Sequence, residues 1–334
     1  MGTPLWWSLF FAVVVAVVAV DLLAATRRPM TQRRAIGWTA AWVSLSLAFA
    51  GLIFALEGPH AAVPFLTAYV IEYALSVDNL FVFLVLFSYF KVSTDAQHRL
   101  LRWGIIGAFS LRGLLIGLGT SLVSQFEWLL YLFGAFLLYT AGKLLFGGDE
   151  GEEVDPEANA VLKLARKVLP VAEQGEGLAF FIREQGRWVV TPLFLVLLVV
   201  ETTDLLFALD SIPAVLGISK DPFIVFSSNA CAILGLRSLF FVIASLMDKF
   251  RYLKVGLGII LAFVGVKLVT ERYFALWAAA HDTALLLGSL AFIAMVLGGS
   301  VLASMLVEPK AKKGPPRGGE GDEKLATEAE SRAK

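Results

Sequence analysis

Nine apolar stretches, most about 20 residues or longer, follow one another along the chain. A helix rises about 1.5 Å per residue, so about 20 apolar residues cross the hydrocarbon core of a bilayer. The 334 residues are 58% hydrophobic and only 17% charged, whereas a soluble domain carries about 25% charged residues. The sequence therefore predicts an all-α, polytopic helical membrane protein. Its predicted spans are 4–25, 35–56, 64–90, 100–122, 126–146, 189–216, 223–246, 253–270 and 283–306.

Two segments stand apart from this regular pattern. Residues 147–188 form a long connection that is acidic at its start and then becomes basic and helix-like. Residues 309–334 are rich in Lys, Glu, Gly and Pro, a composition that is typical of disorder. We therefore expect one transmembrane domain, residues 1–308, followed by a disordered tail.

The basic residues of the connections predict the orientation in the membrane. Ten of them fall in the connections after spans 1, 3 and 7 or in the first three residues of the span that follows, and two fall in the alternate connections. Because positive residues accumulate on the cytoplasmic side, the N-terminus is expected outside and the C-terminus in the cytoplasm. The long connection and the tail are then cytoplasmic. The ten are Arg27, Arg28, Arg33, Arg34, Lys91, Arg99, Arg102, Lys249, Arg251 and Lys254, against Lys220 and Arg272.

Carboxylates lie inside two of the predicted spans. Glu72 and Asp78 fall in span 3, whereas Glu201, Asp204 and Asp210 fall in span 6. A charged side chain at the bilayer centre costs roughly 2.5–3.5 kcal/mol even on insertion scales, so it faces a partner, water or an ion. Two such spans in one chain predict a functional site within the membrane.

The charged positions of spans 3–5 recur in spans 6–8. The corresponding pairs are Glu72 with Asp204, Asp78 with Asp210, Arg112 with Arg237, and Lys143 with Lys267. Three spans is an odd number, so the second copy would cross the membrane in the opposite sense. The pattern thus predicts an inverted repeat of residues 64–146 and 189–270, with the remaining three spans peripheral. Such repeats form a ligand site near the midplane, where the two halves meet.

These oxygen-rich side chains favour a site for a hard divalent cation, namely Mn²⁺, Ca²⁺ or Mg²⁺. Residues six apart on a straight helix point about 120° away from each other. For all four paired acids to converge, the helices must loosen near Ser76–Asp78 and near Asp210. Pro213 favours such a break because it removes a backbone hydrogen bond. The candidate ligands are Glu72, Asp78, Asp204 and Asp210, with Glu201 as a fifth ligand or proton carrier and Asn79, Ser211 and Asn229 as neutral ligands.

An alternative reading is that the acids only form structural ion pairs with the buried bases. Arg112 and Arg237 lie deep in their spans and are candidates for counter-ion or gating roles. Lys143 and Lys267 lie near span ends, where a lysine can extend to the headgroups, although their repeat symmetry suggests more. Two acids for each arginine leave net negative charge, which favours the cation site.

Three segments carry a resemblance to a known family. They are Glu72-Tyr-Ala-Leu-Ser-Val-Asp78-Asn79, Asp204-Leu-Leu-Phe-Ala-Leu-Asp210-Ser-Ile-Pro213, and Ser228-Asn229 followed by Gly235-Leu-Arg237. They resemble the signature segments of TerC-family integral membrane proteins, which are named for tellurium resistance and include the Alx-type manganese exporters. The resemblance covers roughly residues 5–306. It implies Mn²⁺ efflux across the bacterial inner membrane, with Glu72, Asp78, Asp204, Asp210 and Asn229 as metal-site positions. It also implies tellurite tolerance or metal supply to exported proteins as alternative roles.

Three classes of function compete on this sequence. The first is a secondary transporter that exports a divalent cation in exchange for protons, since no segment resembles an ATP-binding motif. The second is a membrane scaffold that assists insertion or metallation of other proteins through the cytoplasmic connection. The third, an intramembrane aspartyl hydrolase, is disfavoured because two arginines would keep the acids ionised. We expect no enzyme activity, no cofactor and, with zero net charge, no nucleic-acid partner; the metal ion and membrane lipid are the expected partners.

Overall fold

The fold is taken from a computed structural model that describes residues 3–25, 31–146, 159–172, 178–184, 186–244, 252–280 and 282–306. The acidic start of the long connection and the tail from residue 309 lie outside the described residues, and so does the side chain of Asp78. The helices are α1 (Pro4–Ala25), α2 (Gln32–Glu57), α3 (Pro59–Tyr89), α4 (Thr94–Gln125), α5 (Leu129–Phe146), α6 (Ala160–Val168), α7 (Pro192–Leu216), α8 (Pro222–Leu234), α9 (Leu236–Ala244), α10 (Leu253–Ala280) and α11 (Asp282–Leu306). The strands are β1 (Phe181–Glu184) and β2 (Arg187–Val190).

The all-α, polytopic membrane class is confirmed. Within the described ranges, seven helices are long and apolar enough to cross a membrane, and α8 with α9 makes an eighth if the pair is one span. The described apolar part of α1, Pro4–Val17, is shorter. The number of nine spans and the orientation stay predictions.

Capping residues followed by proline set the starts of α7 and α8. The Thr191 side chain accepts a hydrogen bond from the amide of Phe194, and Pro192 takes the first helical position. The Asp221 carboxylate accepts from the amide two residues on, at 2.8 Å, and Pro222 follows it. A capping oxygen satisfies amides that have no partner inside the helix, and proline has no amide to satisfy there. These starts fix where each helix enters the bundle.

The expected breaks in the two acid-bearing helices are wrong. α3 is continuous from Pro59 to Tyr89, and α7 is continuous from Pro192 to Leu216. No glycine or proline occurs between Phe65 and Tyr89, so nothing in that sequence interrupts the hydrogen-bond ladder. Pro213 lies close to the C-terminal end of α7, where the helix tolerates the lost bond without ending at Asp210.

A break occurs instead in predicted span 223–246, which the sequence analysis took as continuous. It divides at Gly235 into α8 and α9, whose axes differ by 46°. Glycine has a low helix propensity, and it also leaves space for a neighbouring helix. A Cβ on Gly235 would lie 3.5 Å from the Cβ of Trp42 on α2. α2 therefore lies at ordinary contact distance from the bend.

The long connection contains structure that the sequence analysis missed. After the basic helix α6, strands β1 and β2 form an antiparallel hairpin with Phe181 opposite Val190. The ring of Phe181 lies 4.9 Å from that of Phe194, so the hairpin rests on the first turn of α7. The hairpin occupies the residues that the sequence analysis gave to the start of span 189–216, and the helix begins at Pro192.

The helix contacts place the two signature halves against each other. α5 packs along α10, α3 packs against α8, and α4 packs against α7. Glycines allow the closest of these contacts, because a Cβ on Gly134 would lie 3.0 Å from the carbonyl oxygen of Gly265, and the reverse distance is also 3.0 Å. Exchanging α3 with α7, α4 with α8 and α5 with α10 turns this set of contacts into itself. A two-fold repeat requires helix contacts that exchange in this way. The superposition of residues 64–146 on residues 189–270 stays a prediction.

Candidate functional site

Arg112 joins two acidic residues from different helices in the interior of the bundle. Its Nε donates a hydrogen bond to Oδ2 of Asp204 at 3.0 Å, and its Nη2 donates to Oδ1 at 2.9 Å. Its Nη1 donates to Oε1 of Glu72. All three residues are buried; Glu72 is 0% and Arg112 is 1% exposed. One guanidinium on α4 thus connects α3 to α7.

The local fold explains why an arginine holds this position. α7 contacts both α3 and α4, so an acid on α3 and an acid on α7 can reach the same arginine on α4. The planar guanidinium has five donors in a fixed fork, which matches a carboxylate in two parallel hydrogen bonds. Two of these donors bind Asp204 and a third remains for Glu72.

The charges of this cluster do not balance. Two carboxylates carry two negative charges, whereas the guanidinium carries one positive charge. Oε2 of Glu72 is buried and has no hydrogen-bond donor within the described part of the chain. A buried anionic oxygen without a donor is costly, so a cluster of this composition favours a proton or a further cation.

Glu201 adds a further carboxylate beside Asp204. It lies three residues before Asp204, so the two side chains are neighbours on α7. Both line a cavity of about 20 Å³ between α3, α4 and α7, which is large enough for one water molecule. Oε2 of Glu201 is buried and meets no donor among the described residues. Carboxyl groups therefore accumulate on this side of α7.

Asp210 does not join this cluster, so the expected convergence of the acids is wrong for this residue. It accepts a hydrogen bond from Oγ1 of Thr140 on α5 at 3.2 Å and interacts electrostatically with Lys143. Because α7 stays helical, six residues separate Asp210 from Asp204 by about 9 Å along the axis and about 120° around it. Asp78 lies outside the described side chains, and its part in either cluster stays a prediction.

The other candidate ligands are buried but do not complete a metal site. Asn79 on α3, Asn229 on α8 and Ser211 on α7 are all buried. Asn79 lies seven residues after Glu72 and shares its helix face. In the part of the chain that the structure describes, no three His, Cys, Asp or Glu side chains group in a way that could hold a metal ion. The acids Glu72 and Asp204 instead bind Arg112, as the ion-pair alternative expects.

The remaining bases occupy different environments. Arg237 is buried in the first turn of α9, next to Ser238, whose hydroxyl oxygen accepts a hydrogen bond from Thr39 of α2 at 3.0 Å. Lys143 on α5 is exposed, and Lys267 on α10 is half-buried. Burial thus separates the arginines from the lysines, as their depth in the spans suggests.

Sequence reasoning missed two residues that contact the acids. Thr140 lies one turn before Lys143 on α5, and that spacing was the available signal for its hydrogen bond to Asp210. Gly107 on α4 contacts Glu201, and no pattern in the sequence marks it. Both act by providing a hydrogen bond or space to a carboxylate.

Comparison with known proteins agrees with the resemblance of the signature segments. A family model described as the integral membrane protein TerC family matches residues 57–312. A protein of Myxococcus xanthus named "Uncharacterized membrane protein STKORF319" is 43% identical over 308 residues, covering 92% of this chain and 93% of that protein. No solved structure matches the chain.

Relatives of similar length are present in other bacteria. A protein of Escherichia coli K12 named "Putative membrane-bound redox modulator Alx" is 42% identical over 285 residues, covering 82% of this chain and 88% of that protein. An "Uncharacterized membrane protein" of Rickettsia bellii is 35% identical over 272 residues, covering 81% and 89%. The matched region contains the whole Arg112 cluster. With its apolar helices and these matches, the chain belongs to the TerC family of integral membrane proteins.

Proposed function

We propose that this chain is a secondary transporter that exports a divalent metal cation, with Mn²⁺ as the principal substrate, in exchange for protons. We place it in the bacterial inner membrane, where export to the outside would lower the cytoplasmic concentration of the ion. The proposal concerns transport alone and involves no enzymatic step.

The observation that carries the proposal is the excess of buried carboxylates where α3, α4 and α7 meet. Glu72 and Asp204 share one guanidinium, and Glu201 lies beside them with an oxygen that has no donor within the described residues. A structural ion pair would need one acid for each base. An excess of acids at membrane depth is the composition from which transporters build sites for cations and protons.

Ligand chemistry supports the choice of ion. The candidate site offers carboxylate and carboxamide oxygens, which suit Mg²⁺, Ca²⁺ and Mn²⁺. The chain has a single cysteine, so thiolate ligation of a soft metal is not offered by this site. The resemblance to Alx-type manganese exporters favours Mn²⁺ within this group.

Transport would follow an alternating-access cycle. With the site open to the cytoplasm, carboxylates release protons and bind the cation between the two halves. The halves then rock about the site, and protons from outside displace the cation. In this cycle Glu72 and Asp204 are ligands, Glu201 is a ligand or proton carrier, and Asp210 is a second station along α7.

The name of the Escherichia coli relative raises a redox role as a second candidate. A chain with one cysteine cannot form a disulfide within itself, and Cys231 is partly buried between helices. Thiol–disulfide chemistry by the chain itself is therefore disfavoured. A scaffold that helps other proteins acquire metal through the long connection remains the alternative to transport.

Flux measurements in proteoliposomes test the proposal. Purified protein is reconstituted, Mn²⁺ entry is followed with a fluorescent indicator, and an imposed pH gradient is compared with no gradient. We expect flux that follows the gradient, with slower flux of Ca²⁺ and Mg²⁺. Lys163→Gln, at an exposed position of α6, is the control for a harmless change of charge. Absence of flux of any divalent cation in correctly folded wild-type protein would refute transport.

A further inference from the structure

We infer that the Arg112 guanidinium acts as a tethered cation. In the ion-free protein it binds the carboxylates of Glu72 and Asp204, which are the proposed ligands of the metal ion, and the metal ion displaces it on binding. This inference rests on the proposed function and adds a mechanism of competition to it. Its subject is the cluster formed by Arg112, Glu72 and Asp204.

The Arg112 guanidinium already binds most of the oxygens that a metal ion would need. Three of the guanidinium nitrogens bind three of the four carboxylate oxygens of Glu72 and Asp204. A hard cation that used these two acids would need the same oxygens, at distances of about 2.0–2.6 Å. Each carboxylate oxygen has two lone pairs, so the guanidinium does not block these oxygens outright, but it competes with a metal ion for the negative charge of both acids.

Charge repulsion adds to this competition. A divalent ion and a guanidinium held by the same two acids would repel each other at short range in a medium of low dielectric constant. Glu72 and Arg112 are 0% and 1% exposed, so water screens this repulsion little. This repulsion favours movement of the guanidinium away from the two acids when a divalent ion binds to them.

Glu201 is positioned to receive the displaced guanidinium. Arg112 has a flexible stem of three methylene groups, so its head can move without movement of α4. Glu201 carries a buried oxygen that meets no donor in the described structure, and it lies next to Asp204 on α7. This oxygen offers the moving guanidinium a new acceptor, which keeps it paired within the membrane.

Competition of this kind has two consequences for transport. The arginine lowers the apparent affinity for the ion, because only the fraction of protein with Arg112 displaced is competent to bind. It also helps to expel the ion at the end of the cycle, because it returns to the same carboxylates. A monovalent ion brings no more charge than the arginine it displaces, so Na⁺ and K⁺ would compete poorly. The arginine thus contributes to selection of divalent ions.

The test compares Mn²⁺ binding to purified wild type, Arg112→Gln and Arg112→Lys by isothermal titration calorimetry. We expect Arg112→Gln to bind Mn²⁺ about tenfold more tightly or more, since the competitor is removed. Arg112→Lys should lie between them, because an ammonium lacks the paired donors of the fork. Transport turnover should fall in both variants, since release of the ion is slowed. Arg102→Gln is the matched control: it makes the same charge change on α4, about 15 Å along the helix.

Folding is the risk for Arg112→Gln, and two further measurements keep the inference testable. Mn²⁺ should raise the melting temperature of Arg112→Gln more than that of wild type, since the ion replaces the lost positive charge. If that variant cannot be isolated, the Mn²⁺ affinity of Arg112→Lys, which keeps the charge, is compared with that of wild type and decides the question. Guanidinium chloride at millimolar concentration should compete with Mn²⁺ in Arg112→Ala, whose side chain no longer fills the position, but not in wild type.

The outcomes separate this inference from the proposed function. If wild type binds and transports Mn²⁺ but the folded Arg112 variants bind it no more tightly, the tethered-cation role is wrong and transport stands. If wild type neither binds nor transports any divalent ion, the proposed function itself fails. Tighter binding with slower turnover in the variants would support both.

Discussion

Gly107 on α4 leaves the space that Glu201 of α7 occupies, because a Cβ at this position would overlap the Glu201 carboxylate. The glycine is helical and has no positive φ, so its role is to allow close approach rather than an unusual backbone conformation. The contact places a carboxylate directly against the backbone of α4, about 7.5 Å along the helix axis from Arg112.

Gly107→Ala should displace Glu201 and reduce Mn²⁺ flux several-fold, since the carboxylate would leave the cavity that it shares with Asp204. Flux per folded molecule in proteoliposomes is the measurement. Gly117→Ala is the matched control, because nothing lies within 4 Å of a Cβ there. Alanine at that exposed helical site should be neutral or stabilise by up to about 1 kcal/mol. Equal flux in the two variants would show that the position of Glu201 does not matter.

Arg112→Ala should destabilise the protein far more than Lys143→Ala. Removing one partner of a buried ion pair costs about 3–5 kcal/mol, because Glu72 and Asp204 would keep their charges without a donor. Lys143 is exposed at the end of α5, and loss of an exposed charge costs about 1 kcal/mol or less. The melting temperature in detergent, read from the monodisperse fraction after heating, makes the comparison. Similar melting temperatures for both variants would contradict the assignment of Arg112 as the central base.

Asp78→Asn and Asp210→Asn should insert normally yet fail to lower cellular manganese under manganese stress. A neutral amide oxygen replaces an anionic ligand for a hard ion, while size and most hydrogen bonding are kept. Thr140 can still donate its hydrogen bond to the new Asn oxygen. The readout is metal content divided by the amount of folded protein in the membrane. Asp95→Asn, an exposed acid in the first turn of α4, is the control, and wild-type efflux in both site variants would remove these residues from the pathway.

The inverted repeat predicts a specific superposition. Residues 64–146 should overlay residues 189–270 after a half-turn about an axis in the membrane plane, with Asp78 on Asp210 and Arg112 on Arg237. An experimental structure in a lipid nanodisc would test this, and labelling of single cysteines from either side would test the orientation. Two halves that cross the membrane in the same sense would end the repeat hypothesis.

Most of the fold follows from local sequence, since apolar length and capping residues are properties of a single segment. The start of α7 at the Thr191 cap and Pro192 is a local signal of this kind, although predicted span 189–216 began three residues earlier. The bend at Gly235 could not be predicted in this way. Glycine permits a bend without requiring one, and the contact of Gly235 with Trp42 is visible only in the structure. The hairpin of β1 and β2 also depends on contacts outside itself, through Phe181 and Phe194.

The sequence indicated which charged residues lie inside the bundle better than it indicated how they pair. Charged residues inside apolar runs are visible from sequence, so Glu72, Asp204 and Arg112 were all found. Their pairing was only one of two readings, because which acid reaches which base depends on helix packing. The convergence of Asp210 required a broken helix, and Pro213 alone did not provide one. Periodicity along one helix therefore shows which residues share a face of that helix, whereas the contacts between helices are known only from the structure.

The bend between α8 and α9 has a consequence for the direction in which the protein faces. In the alignment of the repeats, Gly235 corresponds to Ser110, where α4 stays unbroken and the serine hydroxyl donates to the carbonyl of Ile106 at 2.8 Å. One motif thus exists in two backbone shapes within a single molecule. In a transporter built of inverted repeats, we expect the halves to exchange their shapes as access alternates. The opposite-facing state would then have its kink in α4 near Ser110, with α8 and α9 straightened into one rod, so the location of the kink reports which side of the membrane the pathway opens to.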